Sequence, residues 1–248
     1  MERWIGKTAV VTGASAGIGA AVCVAMADAG LNVIGLARRP QLVDILQSAV
    51  TGKGTIISRR CDVADSKDVA ETFKWIEENH GTVHIIVNNA GILCAGHITD
   101  LSDKQLSEED VMRVIDVNLK GPVICSRHAV ASMKKAGFDG HIININSVAG
   151  HYVPFDTMFN LYSPSKHAVT VLTKTLAGEL ADCNSKIKTT SISPGLVHTN
   201  MVPDSMVETK LPILKPSDVA DAVMYVISTP PNVNIDELTI TPVGGKRL

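Results

Sequence analysis

Short apolar runs alternate with amphipathic stretches along most of this chain. Lys7-Thr8-Ala9-Val10-Val11-Thr12 is apolar and ends at a glycine-rich turn, which predicts a buried strand. From Gly17 to Ala29 small and apolar residues alternate, and Gly30 follows as a stop signal, so a helix is expected. Asn32 to Ala37 predicts a second strand, Pro40 to Val50 a helix, and Gly54 to Cys61 a third strand. Asp65 to Asn79 sets Val69, Phe73 and Ile76 on one helical stripe. His84 to Val87 is the fourth strand, and Glu109 to Lys135 reads as one long helical region with Val111, Val114, Ile115 and Leu119 at its apolar positions. The alternation continues with a strand at His141–Ile145, a helix at Tyr162–Asp182 and a strand at Lys188–Ser193. Ser217 is the expected N-cap of a helix to Ser228, and Leu238 to Ile240 a last strand. This order predicts an α/β protein: a doubly wound, mostly parallel seven-stranded sheet with helices on both faces. No linker, low-complexity tract or internal repeat divides residues 1–248, so one domain is expected.

Composition narrows the functional classes. The chain has 248 residues, 45% hydrophobic, and a formal net charge of -2. That length supports one sizeable core, and the charge balance argues against a basic nucleic-acid surface. Cys23, Cys61, Cys94, Cys125 and Cys183 are odd in number and contain no Cys-x-x-Cys pair. They read as free thiols in a reducing compartment, with neither a disulfide framework nor a metal site. The first residues lack an apolar signal segment, and no apolar run is long enough to span a membrane, so a cytoplasmic protein is expected.

Two stretches carry candidate chemistry. Thr12-Gly13-Ala14-Ser15-Ala16-Gly17-Ile18-Gly19 joins the first strand to the first helix. Glycines there allow a sharp turn and close approach of backbone to a phosphate, at a helix N-terminus that favours anions. The same residues also match Gly-x-Ser-x-Gly, a nucleophile elbow centred on Ser15. That reading leaves no earlier β-loop to build an oxyanion hole. The second stretch is Tyr162-Ser163-Pro164-Ser165-Lys166. On a helix, Tyr162 and Lys166 share a face one turn apart. An ammonium so placed would pull the phenol toward neutrality from its usual pKa of about 10. Pro164 donates no hydrogen bond, so the helix is expected to begin near Leu161 or to be kinked.

With Asn88-Asn89-Ala90-Gly91, with Ser147 ahead of Tyr162-x-x-x-Lys166, and with Pro194-Gly195 after the sixth strand, the chain resembles the short-chain dehydrogenase/reductase family. The resemblance covers nearly the whole length and implies a Rossmann fold. It implies a catalytic set of Asn118, Ser147, Tyr162 and Lys166. Tyr162 would be the general acid or base, Lys166 would lower its pKa and hold the nicotinamide ribose, Ser147 would bind the substrate oxygen, and Asn118 would anchor a water. It also implies a cofactor against Gly13, Ser15, Gly17, Ile18 and Gly19. Further along, the cofactor would meet Asp62 and Val63, then Asn88, Asn89, Ala90 and Gly91. Pro194, Gly195, Val197 and Thr199 would complete that wall. A homodimer or homotetramer is implied as well, packed through the helices from about Glu109 and from Tyr162.

The end of the second strand bears on which cofactor. It reads Ala37-Arg38-Arg39, with no carboxylate to accept from ribose hydroxyls. Arg38, with Arg39 as a second candidate, can instead pair with a 2′-phosphate, which predicts NADP(H). Candidate substrate-lining residues are Tyr152, Phe155, Met158, Phe159, Met201 and Met206, within Tyr152–Phe159 and a substrate-binding segment at about 196–214. Their apolar character suits a hydrophobic carbonyl or alcohol. The residues around Gly150-His151-Tyr152-Val153-Pro154 and Lys215-Pro216-Ser217-Asp218 resemble the branch with insect farnesol dehydrogenases and animal ketosteroid reductases. A terpenoid or steroid substrate follows from that resemblance. The competing classes are a non-catalytic NADPH-binding or sensing protein and, third, a hydrolase using Ser15.

Overall fold

The computed structural model of the chain describes residues 1–99, 101, 105–153, 160–202 and 211–245. Its elements follow the expected alternation. The first half contains β1 (Thr8–Thr12), α1 (Gly17–Asp28), β2 (Asn32–Ala37), β3 (Thr55–Arg60), α3 (Ser66–His80) and β4 (Val83–Asn88). The second half contains β5 (His141–Ile145), α6 (Tyr162–Asp182), β6 (Lys188–Pro194), α7 (Pro216–Ser228) and β7 (Glu237–Ile240). The seven strands pair in the order β3-β2-β1-β4-β5-β6-β7, and every pair is parallel. The chain thus winds outward in one direction from β1, returns, and winds outward in the other from β4. The crevice where the order reverses lies beyond the carboxyl ends of β1 and β4, where doubly wound sheets bind ligands.

Both sheet faces are covered, which is why β1 and β5 are buried at every position. Ala9, Val11, Val33 and Ile143 pack with Val22 and Met26 of α1 and with Val219, Val223 and Val226 of α7. On the other face, the alternate positions Val10, Ile34, Ile86 and Ile142 pack with Val69, Phe73 and Ile76 of α3 and with Cys125, Ala129 and Met133 beside it. All five cysteines are free; Cys23, Cys61 and Cys125 are buried, and Cys183 is exposed.

Three expected elements differ in detail. The helix over Pro40–Val50 is one α-turn, α2 (Gln41–Asp44), continued by a 3₁₀ segment at Ile45–Ala49. Val43 is buried there but Ile45 is 64% exposed, so the apolar positions do not form one inward stripe. The long region from Glu109 is α4 (Glu108–Ile115), a π-helical turn at Asp116–Lys120, and α5 (Gly121–Ala136). Ser107 caps its start by accepting the Asp110 N–H at 3.1 Å. Ser217 is not the cap of α7. The N-cap is Lys215, whose N–H donates to the Asp218 carboxylate at 2.8 Å, and Pro216 takes the first helical position.

Candidate active site

A cavity of about 1160 Å³ runs along the carboxyl ends of the strands. That exceeds the roughly 300–1,000 Å³ usual for one small ligand. Its floor on one side is the turn after β1. Gly13 and Gly17 have φ of +67° and +55°, a region that favours glycine. A Cβ on Gly19 would lie 2.4 Å from the Gly13 carbonyl oxygen, and one on Gly13 would lie 2.8 Å from Ala90 Cα. The turn therefore closes on itself and on the loop after β4 at the limit of contact. Ala16, the N-cap of α1, offers no side chain to the helix N–H groups. Gly13, Ser15, Gly17 and Ile18 line the cavity beside those groups, and Gly19 forms the back of the turn. Such an end suits an anion.

The loop after β4 is tied to this turn. Thr12 Oγ1 accepts the Asn89 and Ala90 N–H groups, each at 3.0 Å. Asn89 Nδ2 donates back to the Thr12 carbonyl at 2.9 Å. Asn89, Ala90 and Gly91 line the cavity. Asn88, expected along the cofactor, is instead buried in the sheet, its Nδ2 donating to Asn144 Oδ1 (2.8 Å) and Ser126 Oγ (2.9 Å). Alternation along β4 turns its side chain away from the crevice that Asn89 borders. Arg38 and Arg39 leave the end of β2 exposed on the cavity wall, and no ion pair engages either among the described residues. Asp62, Val63, Pro194, Gly195, Val197 and Thr199 line it too.

At the other end stand Ser147, Tyr162 and Lys166, all on the cavity wall. Ser147 follows β5 and opens a 3₁₀ turn, Val148–Gly150, accepting the Ala149 N–H at 3.1 Å. Ser147 lies near enough to the Tyr162 phenol to pull its pKa downward. Lys166 Nζ lies 5.6 Å from the Tyr162 ring centroid and donates to the Ile145 carbonyl at 2.9 Å. Leu161 is the N-cap of α6, and the Ser165 N–H makes the helical bond to its carbonyl at 2.9 Å. Pro164 sits at the third helical position, where its missing donor has no intrahelical partner to lose. The helix therefore starts where expected, and Tyr162 and Lys166 share its inner face.

The electrostatics depart from expectation. Burial pushes the Tyr162 phenol above its ordinary value, and Ser147 pulls the other way without overcoming it. Burial pushes Lys166 down to about 8. The Lys166 ammonium faces the Tyr162 ring and is turned onto the Ile145 carbonyl. Asn118 lies in the π-helical turn and is 1% exposed. Its Nδ2 donates to the Ile92 carbonyl (2.9 Å) and Ser165 Oγ (3.1 Å), while its Oδ1 accepts the Ile92 N–H (2.8 Å).

Of the expected substrate residues, Tyr152 and Met201 line the cavity. Phe155, Met158, Phe159 and Met206 lie outside the described residues. The chain leaves β6 through Leu196–His198 and pairs back at Leu214, the His198 N–H donating to the Leu214 carbonyl at 2.8 Å. Leu93, Val202 and Leu211 add apolar wall. His151, in the segment from Gly150 expected at the substrate mouth, lines the cavity, and so do Asn146, Thr241 and Pro242, which sequence reasoning did not single out. These three come from a strand end and the segment after β7, and no spacing marks them.

The parallel order, the glycine turn at the switch point and a Ser–Tyr–Lys group on one crevice wall define a nucleotide-binding α/β enzyme scaffold. The chain belongs to the short-chain dehydrogenase/reductase family: the model of the short chain dehydrogenases matches residues 7–209. It is an oxidoreductase of that family, which uses a nicotinamide cofactor, and this displaces the Ser15 hydrolase reading. It is 46% identical over 248 residues to the farnesol dehydrogenase of Aedes aegypti, covering 99% of this chain and 100% of that one. It is 40% identical over 255 residues to the dehydrogenase/reductase SDR family member 11 of Mus musculus, covering 98% of this chain and 96% of that protein. Among solved structures, the Thermococcus sibiricus alcohol dehydrogenase complexed with 5-hydroxy-NADP matches with a TM-score of 0.82 at 27% identity, covering 98% and 99%. Among the described residues, no helix is long and apolar enough to cross a membrane.

Proposed function

We propose that this protein is an NADP(H)-dependent oxidoreductase interconverting a hydrophobic carbonyl and its alcohol, with Tyr162 as the general acid and base. The observation that carries this reading is the convergence of Ser147, Tyr162 and Lys166 on one wall of the crevice beside the glycine turn, with Lys166 one helical turn from Tyr162. The residues present fit the cofactor: close-packed glycines, uncapped N–H groups on α1, and two guanidinium groups on the wall without an ion pair. A bound nicotinamide supplies the hydride. Ser147 Oγ holds the substrate oxygen and stabilises its developing charge. Tyr162 Oη gives its proton to that oxygen during reduction and takes one from the hydroxyl during oxidation. With its pKa raised, Tyr162 is protonated at neutral pH and ready to act as the acid. Lys166 is cationic below about pH 8, would hold the nicotinamide ribose, and as a cation one turn away would favour proton loss from Tyr162. Asn118 holds the Ile92 backbone and the α6 start in register with this set. Arg38 and Arg39 bind the 2′-phosphate, which favours NADPH over NADH.

For the substrate, the apolar wall of Leu93, Tyr152, Met201, Val202 and Leu211 supports a terpenoid such as farnesol, or a steroid ketone. The 46% identical farnesol dehydrogenase supports the terpenoid. Residues 196–214 form the substrate-binding segment of the single domain, and the enzyme works in the cytoplasm. The test is turnover of terpenoid, steroid and simple carbonyl substrates, followed by NADPH absorbance, in wild type and Tyr162→Phe. Turnover should fall by about 10²–10⁴-fold with NADPH still bound. Equal turnover in both proteins would remove Tyr162 from the chemistry, and no turnover with any substrate would favour a non-catalytic NADPH binder.

Assembly into a homodimer or homotetramer through α4, α5 and α6 is supported by Met112, Val123 and Val171, which are 57%, 40% and 62% exposed on those helices. Sedimentation velocity should give a dimer or tetramer, and Val171→Glu should shift it toward monomer. A wild-type monomer at micromolar concentration would reject the assembly.

A further inference from the structure

The turn that carries Ser147 is joined to the helix that carries Tyr162 and Lys166 through one hydroxyl, that of Thr170. Thr170 Oγ1 accepts from Asn146 Nδ2 at 2.8 Å. It lies 3.0 Å from the Gly150 carbonyl and 3.2 Å from the Lys166 carbonyl, with one proton to share between them. Asn146 immediately precedes Ser147, and Gly150 ends the same turn. One side chain on α6 thus holds both ends of the Ser147 turn and the backbone of Lys166. Within the turn, the Ala149 N–H donates to Ser147 Oγ, the Gly150 N–H to the Ser147 carbonyl at 2.9 Å and the His151 N–H to the Val148 carbonyl at 3.0 Å, while Asn146 Nδ2 also reaches Ser191 Oγ of β6 at 3.4 Å.

Packing at this junction leaves no slack. A Cβ on Gly150 would sit 2.8 Å from both the Lys166 carbonyl oxygen and Asn146 Nδ2. Asn146 is 4% exposed, and its N–H donates to the Ile192 carbonyl of β6 at 2.7 Å. Beyond the turn, His151 Nε2 lies 2.9 Å from Ser193 Oγ and 3.3 Å from Glu237 Oε1, fastening the exit to β6 and β7.

We propose that Asn146 and Thr170 are positioning residues that set the Ser147 hydroxyl against the Tyr162 phenol by locking the Ser147 turn onto α6. This rests on the oxidoreductase reading above. The physical reason is that reacting groups displaced by about 1 Å lose up to about 10²-fold in rate, and a three-residue turn does not hold such a distance alone. Neither residue needs to touch substrate; each acts through Ser147.

The test uses the full-length protein carrying Thr170→Val, Thr170→Ser or Asn146→Ala, assayed with NADPH and a carbonyl that gives Tyr162-dependent turnover. Thr170→Val should lower kcat at least about tenfold while the NADPH Kd stays within about twofold, and Thr170→Ser should restore most of the rate. A readout free of turnover is the titration of ¹³Cζ-labelled tyrosine in protein without cofactor, with Tyr162 assigned by its loss in Tyr162→Phe. Ser147 lowers the Tyr162 pKa, so Thr170→Val and Asn146→Ala should both raise it. An unchanged Tyr162 titration overturns the proposal, as does a kcat within twofold of wild type. A Thr170→Ser rate no better than Thr170→Val also overturns it, because the hydroxyl would then not matter. Equal losses of kcat and NADPH affinity would assign these residues to the fold instead. If the titration shifts while Tyr162→Phe keeps full turnover, the positioning stands and the proposed mechanism fails.

Discussion

Arg38 and Arg39 leave the end of β2 exposed, where an acidic residue would accept from ribose hydroxyls. A guanidinium there offers charge-assisted bonds to a phosphate, each worth about 1.5–3 kcal/mol. Arg38→Ala should therefore weaken NADPH by roughly tenfold to a hundredfold and leave NADH nearly unchanged. Fluorescence titration of both cofactors checks this, and equal losses for the two would refute the 2′-phosphate role. The buried pair one turn apart behaves differently from exposed charges. Lys166 is drawn down to about 8 and Tyr162 is raised, each by burial. Desolvation disfavours the charged form of each group separately, whereas opposite charges close together would favour both, so any compensation must come from the occupied site.

The turn between β1 and α1 shows what an element can impose on its residues. Gly13 and Gly19 face each other across it, and Asn89 closes it from the next loop. Gly19→Ala would place a methyl 2.4 Å from the Gly13 carbonyl oxygen and 2.5 Å from Asn89 Nδ2. Neither neighbour is a flexible chain end, so the turn must open. A loss of about 1–3 kcal/mol is expected by urea unfolding, with NADPH affinity at least about tenfold weaker. Unchanged NADPH affinity would show that the turn does not cradle the cofactor. Between α4 and α5, the π-helical turn does the reverse and admits a deviation. It turns Asn118 inward to hold the Ile92 backbone and Ser165, and π-turns of this kind concentrate at functional sites. Pro164 is accommodated by position alone, because the helix begins just two residues before it.

At the scale of the whole molecule, two histidines tie stability to pH. His141 is fully buried, with Nε2 on Thr190 Oγ1, and burial followed by Lys188 and Arg3 pushes it down to about 3. His84 is pushed down to about 4 by burial and then Lys7, and its Nδ1 accepts the Thr8 N–H, a bond a protonated ring would forfeit. Both folded-state values lie below the unfolded value near 6.5, so between about pH 6.5 and pH 4 the unfolded chain binds more protons. Stability is fully present above pH 6.5 and should fall as pH falls through that window. Urea unfolding across pH 4–8 checks it, and His141→Asn should flatten part of the slope; an identical slope would discharge His141. Periodicity made the seven strands and most helices legible, because burial on both faces demands continuous apolar runs and one-sided helices demand stripes. Gly13, Tyr162 and Lys166 were legible because their spacing is local, and Ser147 through the family resemblance. The fragmentation of Pro40–Val50, the inward turn of Asn88 and the π-turn at Asn118 were not. Each depends on which neighbours fill the space, and a linear pattern does not encode neighbours. The same holds for the raised Tyr162 phenol: spacing put a cation one turn away, but only packing showed the burial that raises it. The sequence by itself determined the order of elements and named the candidate reacting groups. The tertiary structure alone decided which side chains meet, how deeply they are desolvated, and that Asn146 and Thr170 join the Ser147 turn to α6, because those contacts cross long separations in the chain.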